Sequence, residues 1–129
     1  MTTRGPAFVL IALACGLVLA YAAVLTLLWL RQETLLFHPE VLPRDAALPT
    51  APDVHESVVD VPGARLSVLE LRLPEPKGVV FYLHGNSGSL RSWFPATDFY
   101  RQANFDLVMM DYRGYGKSTG RPTEVQLYA

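Results

Sequence analysis

The chain has 129 residues, an apolar share of 50%, a formal net charge of −1, three histidines and one cysteine. That length holds one small domain at most, and the interspersed charge argues against a nucleic-acid partner. A lone cysteine excludes a disulfide framework, and the histidines show no ligand spacing, so neither a metal nor another cofactor is expected.

Residues 1–6 read as an N-terminal flank. From Ala7 to Leu30 there are 24 positions without a charge, and only Gly16 and Thr26 fall outside the apolar set. As a helix this run is roughly 36 Å long, enough to cross a hydrocarbon core of about 30 Å. Trp29 and Arg31 suit an interfacial boundary. The expectation is a single-pass anchor over residues 7–30, with the lipid bilayer as its partner. Two other readings compete. Ala20-Tyr21-Ala22 has the form of a signal-peptidase site, and Ala12-Leu13-Ala14-Cys15 faintly resembles a lipoprotein box. The chain stays apolar from Ala23 to Leu30, where a mature chain normally turns polar, and this favours the uncleaved anchor. Arg4 and the α-amine on one side nearly balance Arg31 and Arg44 on the other, so charge does not choose the side of the membrane.

Residues 31–55 read as a stalk, because Pro39, Pro43, Pro49 and Pro52 block long helices and central strands. Leu35 to Pro39 is nonetheless apolar enough to pack on something. A domain is expected over residues 56–129. Ser57–Val61 and Arg65–Leu71 are β-type runs joined through Pro62-Gly63, a pair suited to a type II turn. Gly78–Leu83 is an unbroken apolar run, the pattern of a parallel strand covered on both faces. Ser92–Ala103 has helical spacing, with Pro95 in its first turn. Asp106–Asp111 reads as a second buried strand, which completes a βαβ unit. A glycine-rich loop follows, and Thr123 then offers an N-cap to a last helix.

Two loops carry possible chemistry. His84-Gly85-Asn86-Ser87-Gly88 follows a strand and leads into a helix. Small residues and free N–H groups there suit an oxyanion or a phosphate, while a tight turn without chemistry is the plain alternative. Gly116-Lys117-Ser118-Thr119-Gly120 matches G-x-S-x-G, but a nucleophile elbow sits directly between strand and helix, and Gly120-Arg121-Pro122 intervenes. Hydrogen bonding within the loop is the expected role of Ser118. The same residues match the end of a phosphate-binding P-loop, whose first glycine would fall on Asp111. Nucleotide binding there is disfavoured.

YLHGNSG after an apolar strand, followed by DLVMMDYRGYGKSTGRPTE, resembles the membrane-anchored α/β-hydrolases of the Bem46 type. Phe37-His38-Pro39 is similar to a short motif ahead of the catalytic domain in that group. The resemblance implies an α/β fold, the N-terminal part of an α/β-hydrolase preceded by a single transmembrane helix. It implies that the backbone N–H of Asn86 is one oxyanion-hole donor, within a loop made by His84, Gly85, Ser87 and Gly88. Asp111, Arg113, Gly114, Gly116 and Ser118 would shape the loop after the following strand. It implies a serine hydrolase acting on ester, thioester or amide bonds, with a small-molecule or lipid-like acyl substrate. No triad residue is present, so the chain is expected to be an N-terminal fragment, inactive by itself. A second expectation is a non-catalytic, membrane-tethered binding protein that uses the shortened α/β layer.

Overall fold

The computed structural model describes residues 5–94 and 96–128. The expectations for the flank before Gly5, for Pro95 and for Ala129 lie outside the described residues. The chain divides into two compact units, with the boundary between Leu35 and Leu36.

The first unit is essentially the helix α1, Pro6–Leu36, which has no buried residue. It is long and apolar enough to cross a membrane. Thr26, the polar exception in its lower half, donates its hydroxyl to the carbonyl of Ala22 at 2.8 Å, so no donor is left unpaired in an apolar setting. The helix outruns the expected anchor by one and a half turns. Arg31-Gln32-Glu33-Thr34 contains good helix formers, and no breaker occurs before Pro39.

The second unit begins at Leu36. In chain order its elements are β1 (His38–Pro39), β2 (Val54–Val61), β3 (Ala64–Leu71), β4 (Val79–Tyr82), β5 (Ser87–Gly88), α2 (Leu90–Trp93), α3 (Thr97–Ala103), β6 (Asp106–Met110) and α4 (Glu124–Leu127). The main sheet has the order β2-β3-β6-β4, and β1 pairs with β5 separately. β2 and β3 form an antiparallel hairpin closed by Pro62-Gly63, with Gly63 at φ 76° as a type II turn requires. β3 runs antiparallel to β6, and β6 runs parallel to β4. Leu69, Leu71, Leu107 and Met109 share one sheet face. Leu42, Leu48, Leu90 and Phe94 cover that face and complete the core.

The structure departs from the sequence expectations in three places. Residues 36–55 are part of the compact unit rather than a stalk, since Leu42 and Leu48 are buried in the core and His38–Pro39 is paired. Proline excludes regular central strands, but it leaves alternate N–H groups free to bind neighbouring loops. The helix expected over 92–103 is two short helices, because Ser89 caps the first and Phe94 ends it. The strand GVVFYL is covered on one face only: Val80 and Tyr82 pack on the core, whereas Val79, Phe81 and Leu83 are exposed.

Candidate functional site

The site is built from the loop after β4 and the loop after β6, joined by the segment around β1. His38 N–H donates to the carbonyl of Asn86 (2.9 Å) and Glu40 N–H to that of Gly88 (3.0 Å). On its other side the segment reaches the second loop. Gly116 N–H donates to Glu40 O and Leu42 N–H to Gly116 O, both at 2.8 Å. Residues 38–42 therefore act as an extra strand that fixes the separation of the two loops.

Asn86 lies at the centre. Its carbonyl accepts from His38 N–H and also from the Tyr115 hydroxyl at 2.7 Å. Its side-chain amide donates to the carbonyl of Leu36, the first residue of the same unit, at 2.7 Å. The backbone N–H of Asn86 makes no hydrogen bond among the described residues. The carbonyl and the side chain of this exposed residue are thus held, while its backbone N–H stays uncommitted among the described residues. Ser87 is exposed, and its carbonyl accepts from the Trp93 indole N–H at 2.8 Å.

His84 is buried beneath this loop. Its Nδ1 lies 2.8 Å from the carbonyl of Gly85, and Tyr112, Tyr115 and Trp93 surround its ring. The Tyr112 hydroxyl donates to the carbonyl of His84 at 2.9 Å. Burial raises the pKa of Tyr112 and Tyr115 above the ordinary phenol range, so both stay protonated donors at neutral pH.

Asp111 is fully buried at the end of β6. Its Oδ1 accepts from the N–H of Leu90 at 2.8 Å and lies 3.4 Å from His84 Nε2 without hydrogen-bond geometry. A Cβ on Gly116 would come within 1.8 Å of Asp111 Oδ2, at a φ of 49°. Only glycine fits where the loop crosses this carboxylate. Arg113 donates to the carbonyl of Pro62 (2.8 Å), and Gly114 N–H donates to that of Thr119 (3.1 Å). Ser118 Oγ donates to the carbonyl of Asp111 and accepts from Ser67 N–H, both at 2.8 Å. Buried and doubly bonded to backbone, Ser118 pins β3 to the end of β6.

None of the three loop serines has a histidine within hydrogen-bond reach among the described residues. Ser89 Oγ does donate to the Glu40 carboxylate at 2.5 Å, but Ser89 is fully buried as the cap of α2, so no substrate can approach it. Sequence reasoning did not single out Glu40, Trp93, Tyr112 or Tyr115. Tyr115 lies between two glycines, where a large aromatic implies a dedicated pocket. Glu40 gave no such signal, because its partners Ser89 and Arg91 are about fifty positions away.

No family model matches the chain. It is 39% identical to protein bem46 of Schizosaccharomyces pombe over 61 residues, which is 46% of this chain and 20% of that protein. It is 34% identical to alpha/beta hydrolase domain-containing protein 17B of Homo sapiens over 71 residues, 52% of this chain and 24% of that one. A crystal structure of an alpha-beta hydrolase from Vibrio vulnificus gives a TM-score of 0.49 at 23% identity, covering 60% of this chain and 26% of that chain. Over about half of its length the chain is similar in sequence to Bem46 and to an alpha/beta hydrolase domain-containing protein, and it spans about a fifth to a quarter of those two relatives' length.

Proposed function

We propose that this chain supplies the membrane anchor and one oxyanion-hole donor of a single-pass serine hydrolase that acts on ester, thioester or amide bonds. α1 is the anchor. The loop of His84, Gly85, Asn86, Ser87 and Gly88 is the hole, and the loop containing Asp111, Arg113, Gly114, Gly116 and Ser118 braces it. The reading rests on one observation: the carbonyl of Asn86 is held by His38 and Tyr115, while its backbone N–H makes no hydrogen bond among the described residues.

In this mechanism a serine oxygen attacks the acyl carbonyl, and the carbonyl oxygen becomes an oxyanion. A preorganised N–H strengthens its bond as that charge develops, which is worth about 3–4 kcal/mol of barrier per donor. The leaving group departs, and water then hydrolyses the serine ester. The serine, its histidine and the acid are assigned to the part of the relatives' length that this chain does not span. A second reading, a non-catalytic membrane-tethered binding protein, is favoured by β4, which has a hydrogen-bonded neighbour on one side only among the described residues.

A fluorophosphonate probe separates the two. The 129-residue chain should resist labelling, and the longest product of its gene should be labelled at a serine outside residues 1–129. Labelling at Ser87, Ser89 or Ser118 would overturn the assignment of roles. An unlabelled long product would support the binding reading.

A further inference from the structure

The loop that failed as a nucleophile elbow and as a P-loop borders a separate pocket on the β2–β3 hairpin. Arg44, Glu56, Val58, Arg65, Ser67, Lys117 and Thr119 line it, and its volume is about 150 Å³. Three of these side chains are cationic and one is anionic. Lys117 is the most enclosed of the three cations, with its side chain 12% exposed and its ammonium 2.8 Å from the Glu56 carboxylate. Arg65 is held by Asp60 at 3.1 Å, and Arg44 forms no ion pair among the described residues.

The hydroxyls point the same way. Ser67 Oγ is buried without a hydrogen-bond partner. An unsatisfied buried hydroxyl is costly and calls for a missing partner. Thr119 Oγ1 accepts from Arg65 N–H at 2.9 Å, which leaves its own proton free to donate. The pocket thus gathers donors from five side chains and holds a single competing acceptor, Glu56.

We infer that this pocket binds a phosphate group, with Lys117 and Arg44 supplying charge, and Ser67 and Thr119 donating hydrogen bonds. Arg65 closes the exposed side. A phosphate has enough oxygens to use donors arriving from several directions, which a carboxylate does not. The volume gives room for a phosphate group and lies below the ~300 Å³ of typical whole-ligand pockets. Binding moves the Glu56 carboxylate off Lys117 and opens the way to Ser67. The geometry is not that of a P-loop, because buried Asp111 stands at the first glycine position and no helix follows Ser118 directly. The inference does not depend on hydrolase activity.

The test is a titration of the full chain in phosphatidylcholine nanodiscs with inorganic phosphate, read by amide NMR shifts of Ser67 and Thr119. Chloride at matched ionic strength is the control. Saturable shifts with phosphate and none with chloride are expected. Lys117→Met should weaken binding by about tenfold, the contribution of one charge-assisted hydrogen bond. Glu56→Gln, which keeps the shape of the site, should tighten binding several-fold by removing the competing acceptor. Nanodiscs containing phosphatidic acid without added phosphate distinguish the sources: Lys117-dependent shifts there identify a lipid headgroup, and shifts with free phosphate alone identify a soluble ligand. No saturable shift under either condition, or weaker binding in Glu56→Gln, would overturn the inference.

Discussion

Ser118 bonds two strands through one oxygen, so its removal should be felt at a defined atom. Ser118→Ala leaves the buried N–H of Ser67 without an acceptor, a loss of about 1–3 kcal/mol. Amide exchange at Ser67 should accelerate by roughly ten- to a hundredfold, and unchanged protection there would sink the pinning role. Glu40 makes a different prediction. Its pKa lies below the ordinary 4.5, first because the Ser89 hydroxyl donates to it and then because Arg91 does. A depressed carboxylate stabilises the fold fully above its unfolded value, and that stability is lost as pH falls through the lowered folded value. The brace between residues 38–42 and α2 should therefore loosen only below about pH 4.5. Exchange at the Arg91 amide would report this. Glu40→Gln should remove the pH dependence, and an identical acid transition in that variant would refute the assignment. Of these two residues, Ser118 was legible as a loop hydrogen-bonder because its flanks fail the elbow test. Glu40 was not, since no local pattern encodes a partner fifty residues away.

Among the elements, α1 owes its form to composition alone, because any 24-residue apolar run without a breaker satisfies its backbone as a helix. Leu19→Arg, near its middle, should oppose insertion by about 2.5–3.5 kcal/mol. A glycosylation-based insertion assay reads this directly, and undiminished insertion would argue against α1 as the anchor. The hairpin β2–β3 was also legible, since Pro62-Gly63 dictates the turn. The break between α2 and α3 was not: Ser89 acts as a cap only because Glu40 and Ser92 hold it in place. β1 was hidden for a related reason. Two residues carry no period, and their strand geometry comes from the pairing partner, Ser87–Gly88.

At the scale of the whole molecule, β4 presents an apolar edge strand with Val79 63% and Phe81 56% exposed. Such an edge is a template for pairing with further chains. Concentration-dependent self-association of the chain in micelles is expected, and Phe81→Lys should reduce it in sedimentation runs. Association that is indifferent to a lysine at this position would place the sticky surface elsewhere. The sequence by itself determined the apolar helix, the β-type runs, the two glycine loops and the resemblance that ties them together. Each of these depends on neighbours within a few residues, where period, turn chemistry and spacing are physically decisive. Only the tertiary structure decided that residues 36–55 belong to the compact unit, that Glu40 and the two tyrosines hold the Asn86 loop, and that Lys117 borders a donor-rich pocket. Those contacts join positions some thirty to sixty residues apart. Their geometry is set by how the sheet brings loops together, and no local pattern in the chain carries that information.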